Sequence, residues 1–319
     1  MKRVLIAGSD SFVGSHLCDR FAQNGYQVLA ASYHSTHNQA VKVPADLPHI
    51  RHVQLGQLLK AGDTGTIDQI VHCGFPGSPL KSNTPPAAAL REETSPTAQL
   101  LRLASEKKAR IVMALPAHAM ADPLAPLLPG QQYNHHIGPT ALYDAARRFQ
   151  ESLFRSWHSR YGTNIGIARL YNPYGPRMPM NVQDVLTILL RQALSHEHFT
   201  VVGTGEQYRS YCYIQDIAEG VFRFANSTHQ QAIDLGSPER ISILNLAHLV
   251  LTLSRTGQRI EFSPSVTSEE LAVPDFSRTE EMIGWRPTVS LQEGIAATYR
   301  YLRQPATGQG GNKSSVQIL

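Results

Sequence analysis

Near its start the chain reads Val4-Leu5-Ile6-Ala7-Gly8-Ser9-Asp10-Ser11-Phe12-Val13-Gly14, an apolar run followed by a turn with glycine at both ends. Consecutive apolar residues predict a strand that is buried on both faces, as in a parallel sheet. Val13, Leu17 and Phe21 then recur at four-residue spacing and predict a helix, and residues 28–31 predict a second strand. A strand, a glycine turn, a helix and a strand form the βαβ unit that holds a dinucleotide, with the pyrophosphate at the helix N-terminus.

The predicted dinucleotide site departs from the usual pattern at two positions. Ser11 places a side chain where a glycine lets the backbone approach phosphate, and we expect crowding and strain in this turn. Ser32 stands where an acid is expected to bind the adenosine ribose, and no arginine lies nearby to bind a 2′-phosphate instead. We therefore expect NAD or NADP as the cofactor, with weak or lost binding. The predicted cofactor-binding residues are Gly8, Ser11, Phe12, Val13, Gly14 and Ser32.

The rest of the chain alternates between predicted strands and helices, which indicates a doubly wound parallel α/β sheet of the Rossmann type. Strands are predicted at 67–74, 110–115 and 165–171, and helices at 87–108 and 140–160. A smaller, interleaved lobe is predicted from a helix at 182–197, a hairpin at 199–213, a return to the sheet near 232–236 and helices at 243–256 and 291–303. We divide the chain into a dinucleotide-binding domain at 1–171, a mainly substrate-binding lobe at 172–304 and a disordered tail at 305–319.

Composition is ordinary for a soluble globular protein and indicates neither a nucleic-acid partner nor a membrane partner. The 319 residues are 17 % charged, carry a net charge of +4 and contain no dense run of lysine and arginine. No segment approaches membrane-spanning length. Cys18, Cys73 and Cys212 lie far apart without metal-binding spacing. We therefore expect reduced core thiols, no metal site and a cytoplasmic location.

Tyr143 and Arg147 are predicted to be catalytic. They are four residues apart on a predicted helix and therefore share a face. The cation favours the phenolate, which allows a tyrosine to pass protons near neutral pH. Phe149, Leu153 and Trp157 follow at four-residue spacing and predict the buried stripe of the same helix.

Several motifs stand out from this pattern of strands and helices. They are Asp-Gln-Ile-Val-His at 68–72 with Phe-Pro-Gly-Ser-Pro at 75–79, His-Ile-Gly-Pro at 136–139, Leu-Tyr-Asn-Pro-Tyr-Gly-Pro-Arg-Met at 170–178, Val-Val-Gly-Thr-Gly-Glu-Gln-Tyr-Arg-Ser at 201–210 and Gly-Trp-Arg-Pro at 284–287. Together they resemble the UDP-glucuronate decarboxylase (UDP-xylose synthase) family of extended short-chain dehydrogenase/reductases, over residues 1–302. The resemblance implies a UDP-sugar or another nucleotide sugar as the substrate, with Asn172, Arg177 and Arg209 as substrate-binding residues. It also implies a homodimer in which the helices at 87–108 and 140–160 form a four-helix bundle.

The resemblance implies a hydride shuttle in which NAD oxidises the sugar C4 hydroxyl, the β-keto acid loses carbon dioxide and the hydride returns. This chemistry uses a tyrosine, a lysine four residues later, and a serine or threonine followed by glutamate. Tyr143 is present, but Arg147 stands at the lysine position and Ala117-His118 at the other two. Ala117 has no hydroxyl and cannot pass a proton. His118 is a candidate acid or base. Arg147 keeps the positive charge of a lysine but lacks its compact ammonium group. The arginine expected before Pro274 is also replaced.

These observations leave three hypotheses for function. The first is a nucleotide-sugar enzyme with an altered site that performs decarboxylation, epimerisation or dehydration. The second is an inactive relative that binds a nucleotide sugar or a partner as a regulatory subunit. The third is a repurposed enzyme that uses Tyr143, His118 and Arg147 for non-redox acid/base chemistry. The intact Tyr143 and the predicted substrate lobe favour the first.

Overall fold

A parallel sheet of seven strands forms the centre of the computed structural model, which describes residues 1–33, 49–61, 64–73, 86–117, 141–182, 184–255, 257–264 and 275–304. In chain order the elements are β1 (Arg3–Ala7), α1 (Phe12–Gln23), β2 (Gln27–Ser32), β3 (Ile50–Gln54), α2 (Leu55–Ala61), β4 (Gln69–His72), α3 (Pro86–Lys107), β5 (Arg110–Pro116), α4 (Ala141–Tyr161), β6 (Ile165–Leu170), β7 (Pro173–Tyr174), α5 (Val185–Ser195), β8 (Phe199–Val202), β9 (Tyr208–Arg209), β10 (Cys212–Tyr213), α6 (Ile214–Ala225), β11 (Ile233–Leu235), β12 (Ile241–Ser242), α7 (Ile243–Ser254), β13 (Ile260–Ser263), α8 (Ser277–Ile283) and α9 (Leu291–Arg303). The sheet order is β11-β6-β5-β4-β1-β2-β3, and each neighbouring pair is parallel. The predicted doubly wound parallel sheet is confirmed.

Helices cover both faces of this sheet, and each face has its own core. On one face α1 packs against α6 over a buried cluster that includes Val4 and Ile6. On the other face α3 packs against α4 over a cluster that includes Leu5 and Ile111. A third cluster, around Phe199 and the helices α5, α7 and α9, forms the core of the smaller lobe. In the described part of the chain no helix is long and apolar enough to cross a membrane.

Helix α1 has the stripe that the sequence predicted, because Val13, Leu17 and Phe21 are all buried. The helix ends at Asn24, and Gly25 follows with a φ of +77°. This left-handed conformation is the one in which glycine commonly terminates helices. The C-terminal end of α1 is therefore set by its own sequence.

In helix α4 the predicted stripe of Phe149, Leu153 and Trp157 was wrong at Phe149 only. The side chain of Phe149 is 53 % exposed, whereas that of Gln150 is fully buried. The reason is a hydrogen bond at 3.0 Å from the Gln150 amide to Thr97 Oγ1 of α3, which allows a polar side chain to lie between two helices. Leu153 and Trp157 pack against the core but are only partly buried.

The predicted hairpin at residues 199–213 was also wrong. Strand β8 pairs in parallel with β13, β9 pairs antiparallel with β12, and β10 pairs in parallel with β7. The segment thus joins three parts of the chain that are distant in sequence. Gly203 and Gly205, with φ values of +70° and +75°, turn the backbone between β8 and β9.

The second half of the chain also builds the first domain. Strand β11 pairs with β6, which confirms the predicted return to the sheet, and α6 packs against α1. The Trp285 side chain is buried in the same cluster as α1, and its Nε1 donates to the Asp216 carbonyl at 2.8 Å. The boundary at 171/172 remains a prediction, and residues 305–319 lie outside the described residues.

A buried cluster ties α1 to the segment that follows β6. Arg177 pairs with Asp19 at 2.5 Å, and its guanidinium also donates to His16 Nδ1 at 2.8 Å. His16 Nε2 therefore carries the ring proton and donates to the Pro176 carbonyl at 2.8 Å. Burial, with a smaller contribution from the Arg177 charge, lowers the pKa of His16 to about 4. The imidazole is a neutral bridge between the two lobes, and we call His16, Asp19 and Arg177 the interlobe clamp.

From the interlobe clamp we predict that the protein loses stability in mild acid. The pKa of His16 is below its ordinary value of 6.5, so the unfolded chain binds more protons than the folded one between pH 6.5 and 4. The free energy of unfolding should therefore fall as the pH falls through this window, by up to about 3 kcal/mol from His16 alone.

Urea unfolding of wild type and His16→Gln at several pH values measures this contribution. The variant should be less stable than wild type at pH 7, but its free energy of unfolding should fall less steeply than that of wild type between pH 6.5 and 4. His248→Gln, at an exposed position of α7, serves as the control. If the free energy of unfolding falls with pH equally steeply in His16→Gln and His248→Gln, His16 is not a neutral bridging imidazole.

Candidate functional site

The candidate site lies at the carboxyl edge of the sheet, where the turn between β1 and α1 meets the end of β2. Gly8 adopts a φ of +94°, and the backbone N–H groups of Gly8 and Ser9 donate to the Ala31 carbonyl at 2.8 and 3.1 Å. A Cβ atom on Gly14 would lie 2.0 Å from the Gly8 carbonyl oxygen. Glycine is therefore required at position 14, because any side chain would push α1 away from the turn.

Ser11 is the N-cap of α1 and is not strained. Its φ of −86° is ordinary for any residue, and its hydroxyl accepts from the Gly14 N–H at 3.0 Å. The expected strain from this substitution was therefore wrong. Phe12 and Val13 are the first two residues of the helix, so their N–H groups have no intrahelical acceptor. The turn fits the pyrophosphate of a dinucleotide through these donors and the helix dipole.

Ser32 ends β2 beside this turn, at the position that the sequence assigned to the adenosine ribose. The residue is 5 % exposed and pairs in register with Gln54 of β3. A buried serine at this position provides a short neutral side chain rather than a carboxylate. Weaker binding of a dinucleotide at this end of the site stays a prediction.

The predicted reaction centre is partly described. Ala117 directly follows β5, is 4 % exposed, and donates its N–H to the Leu170 carbonyl at 2.7 Å. Tyr143 and Arg147 both lie in α4, one helical turn apart, and the Arg147 side chain is partly buried. The side chain of Tyr143 and all of His118 lie outside the described residues. The end of β5 therefore carries the buried methyl group of Ala117, and the part of this position in proton transfer stays a prediction.

Two of the three predicted substrate-binding residues lie on neighbouring backbone segments. The Asn172 side chain donates to the Ser210 carbonyl at 2.9 Å, and its own carbonyl accepts from the Cys212 N–H at 3.2 Å. Asn172 has a φ of +43°, a conformation that asparagine tolerates better than most residues. Arg209 lies next to Ser210 in β9, is partly buried, and forms no ion pair with any described residue. The structure thus brings Asn172 beside the segment that carries Arg209, and substrate binding by these two residues stays a prediction.

Arg177 has a different environment. Its guanidinium pairs with Asp19 and contacts His16 in the interlobe clamp, and it lies within 3.4 Å of the Ser15 carbonyl. These contacts do not support the prediction that it binds a substrate diphosphate. They indicate that Arg177 positions the segment after β6 against α1.

A buried chain of hydrogen bonds beside the site was missed by the sequence analysis. The Tyr33 hydroxyl contacts His72 Nδ1 at 2.9 Å, and His72 Nε2 contacts Thr97 Oγ1 at 3.0 Å. The same Thr97 oxygen accepts from Gln150. Burial lowers the pKa of His72 to about 3, so the ring is neutral. A histidine within the apolar run of β4 was the available signal, since a buried polar group requires partners.

The cysteines and the potential metal ligands of the described residues do not add a second site. All three cysteines are buried and unpaired, as predicted. Burial raises the pKa of the Cys73 thiol far above its ordinary value, which makes it unreactive. Among the described residues there is no group of histidine, cysteine and carboxylate side chains that could hold a metal ion.

Comparison with known families decides the classification. The model of the NAD dependent epimerase/dehydratase family matches residues 4–236. The chain belongs to this family. The match begins in β1 and ends just after β11, so it covers the whole central sheet, including the strand that returns from the second half.

Individual members of the family resemble the chain over almost its full length. UDP-glucuronic acid decarboxylase 1 of Xenopus tropicalis is 31 % identical over 315 residues, which are 98 % of this chain and 75 % of that protein. UDP-glucuronic acid decarboxylase 3 of Arabidopsis thaliana is 31 % identical over 301 residues, covering 92 % of this chain and 86 % of that protein. The recognition of this family from the sequence motifs is confirmed.

Solved structures of the family have the same fold. UDP-glucose 4-epimerase of Thermotoga maritima, determined with UDP-glucose, superposes with a TM-score of 0.79 at 21 % identity and covers 94 % of this chain and 98 % of that one. UDP-glucuronic acid 4-epimerase of Bacillus cereus, in complex with UDP-glucuronic acid and NAD, gives a TM-score of 0.74 at 22 % identity, with 94 % and 99 % coverage. These likenesses establish the extended short-chain dehydrogenase/reductase fold.

Proposed function

We propose that this protein is a nucleotide-sugar-modifying enzyme that acts on a UDP-sugar by decarboxylation, epimerisation or dehydration, with an altered active site. The observation that carries the proposal is similarity to UDP-glucuronic acid decarboxylases over 98 % of the chain. It is supported by Arg209, a partly buried arginine of the second lobe without an acidic partner among the described residues. A guanidinium fork suits the paired oxygens of a diphosphate. The free buried thiols agree with a cytoplasmic location.

We propose that the cofactor is NAD, held more weakly than is usual in this family. The N–H groups of Phe12 and Val13 would bind the pyrophosphate, but Ser32 offers less to the adenosine ribose and Arg147 less to the nicotinamide ribose. When bound, a nicotinamide supplies a reversible hydride acceptor for the sugar C4 position. Arg147 lies one turn after Tyr143 on α4 and would favour its phenolate, which would take the proton from the sugar hydroxyl. Ala117 cannot relay that proton, so this step depends on Tyr143 and His118.

A second function is favoured by one specific observation. The buried methyl group of Ala117 at the end of β5 removes the hydroxyl that assists proton transfer. A protein that binds a nucleotide sugar without turnover, as a regulatory subunit, has no need of that hydroxyl. Both functions require a working UDP site, and only the first requires a reaction. Non-redox acid/base chemistry at Tyr143, His118 and Arg147 would produce turnover without NAD.

The proposed function predicts that Arg209→Ala weakens UDP binding about tenfold or more, because a buried charge-assisted hydrogen bond contributes about 1.5–3 kcal/mol. Titration calorimetry with UDP measures the loss. Arg240→Ala is a matched control, since Arg240 precedes β12, the partner strand of β9, and lies over the Tyr208 ring. Equal UDP affinities for wild type, Arg209→Ala and Arg240→Ala would refute the assignment of the substrate lobe.

We further propose that the protein is a homodimer that associates through α3 and α4. Phe149 of α4 is 53 % exposed and Leu90 of α3 is 37 % exposed, and the two helices pack side by side. Exposed large apolar side chains on adjacent helices are the surface that a four-helix bundle between two copies would bury.

Phe149→Glu should therefore shift the protein from dimer to monomer in sedimentation velocity at micromolar concentration, because the carboxylate would be buried in the interface. Phe262→Glu introduces the same change at another exposed phenylalanine, in β13, and should leave the dimer intact. A wild-type protein that sediments as a monomer contradicts the proposal, and so does a Phe149→Glu variant that remains a dimer.

A further inference from the structure

The Ser11 hydroxyl makes two hydrogen bonds within the turn that the sequence assigned to the pyrophosphate. It accepts from the Gly14 N–H at 3.0 Å and donates to the Cys73 carbonyl at 3.4 Å. Cys73 directly follows β4, and its N–H donates to the Ala7 carbonyl at the end of β1 at 2.9 Å. The side chain of Ser11 therefore connects the first turn of α1 with the segment after β4.

The N–H groups of the first helical turn are the donors that a helix offers to an anion. In α1 they belong to Phe12, Val13 and Gly14, because the helix begins at Phe12. The first bond within the helix runs from the Ser15 N–H to the Ser11 carbonyl at 3.0 Å. The Gly14 N–H already has an acceptor in the Ser11 hydroxyl. One of these three donors is thus occupied by the protein's own side chain.

We propose that the Ser11 hydroxyl competes with the pyrophosphate of the cofactor for the Gly14 N–H, so that this helix cap stabilises the ligand-free protein and weakens dinucleotide binding. The inference rests on the proposed cofactor and gives a cause for weak binding at the pyrophosphate. The backbone of Ser11 is extended, with a φ of −86° and a ψ of 164°, so strain is not that cause. What opposes the ligand is a hydrogen bond that a glycine at position 11 could not form.

A phosphate oxygen can bind the Gly14 N–H only when the Ser11 oxygen leaves it. In wild type one hydrogen bond of this N–H is therefore exchanged for another, and an exchange contributes less to affinity than a new bond. Without the hydroxyl, the same N–H would have no capping side chain before binding and would gain a charge-assisted hydrogen bond on binding. The stability that the cap gives to the ligand-free protein should thus reappear as affinity when the cap is removed.

The experiment uses ADP, which carries an adenosine and a diphosphate as NAD does, in titration calorimetry and in urea unfolding. Ser11→Ala should bind ADP about fivefold more tightly than wild type, because removal of an N-cap serine shifts a folding equilibrium by about the same factor. Without ligand, the equilibrium constant for unfolding of Ser11→Ala should be about fivefold larger than that of wild type. At the same saturating concentration of ADP this difference in stability should vanish.

Ser290→Ala is the matched control. Ser290 is the N-cap of α9, and its hydroxyl accepts from the Glu293 N–H at 3.3 Å. This variant should lose stability to a similar extent but keep the ADP affinity of wild type. Ser11→Gly serves as a second variant in case Ser11→Ala does not fold, since glycine is a better N-cap than alanine. It should also bind ADP more tightly than wild type.

Weaker binding of ADP by the two Ser11 variants than by wild type would overturn the proposal, because the hydroxyl would then donate to the phosphate. Unchanged affinity, no detectable binding by either variant, or an equal gain in Ser290→Ala also overturns it. UDP is titrated as a second ligand to test the proposed function separately. If Ser11→Ala gains ADP affinity and no protein binds UDP, the competition stands and the proposed substrate site is disproved. If UDP binds and the ADP affinity does not change, the nucleotide-sugar function stands and the competition is disproved.

Discussion

The close approach of Gly14 to the Gly8 carbonyl is the contact on which the rest of the site depends. Because a Cβ atom at position 14 would lie 2.0 Å from that oxygen, α1 starts directly against the turn that follows β1. The first N–H groups of the helix consequently face the carboxyl edge of the sheet. The same placement brings His16 and Asp19, two and five residues after Gly14, to Arg177 in the segment after β6. One packing contact thus sets both the dinucleotide site and the joint between the lobes.

The backbone and the side chains of the proposed cofactor site differ in how well they match the expected pattern. The turn keeps Gly8, Gly14 and two uncapped N–H groups, and Ser11 adds a helix cap without strain. The side-chain contacts further along the expected cofactor are the altered ones, at Ser32 and Arg147. Backbone donors depend on the fold, and the fold depends on the core, so they persist while the core persists. Side-chain donors have no such protection, which is consistent with an intact fold beside the altered site that we propose.

Elements whose pattern is local in the sequence were predicted correctly, whereas features that depend on contacts between distant parts of the chain were not. Apolar runs and four-residue spacing predicted β1, α1 and the alternating sheet, because burial requires those periodicities. The stripe of α4 was misassigned because Gln150 is buried through a bond to Thr97, a residue of another helix. The hairpin at 199–213 failed because its strands pair with segments far away in the chain. Arg177 was assigned to the substrate by resemblance, which stays a prediction, and its ion pair with Asp19 of α1 could not be read from the sequence because the two residues are distant in the chain.

We propose that weakened contacts are spread along the cofactor and the reaction centre, so that no single substitution raises the wild-type rate to that of a complete site. The most direct test is titration of NAD, with carbon dioxide release from UDP-glucuronate as a second readout. The proteins compared are wild type, Ser32→Asp and a variant that combines Ser11→Gly, Ser32→Asp, Ala117→Ser, His118→Glu and Arg147→Lys. Ser32→Asp should bind NAD about tenfold more tightly than wild type without faster turnover, and only the combined variant should reach micromolar affinity with rapid release of carbon dioxide. Wild-type protein that binds NAD at micromolar affinity and decarboxylates UDP-glucuronate as fast as the combined variant would contradict the account.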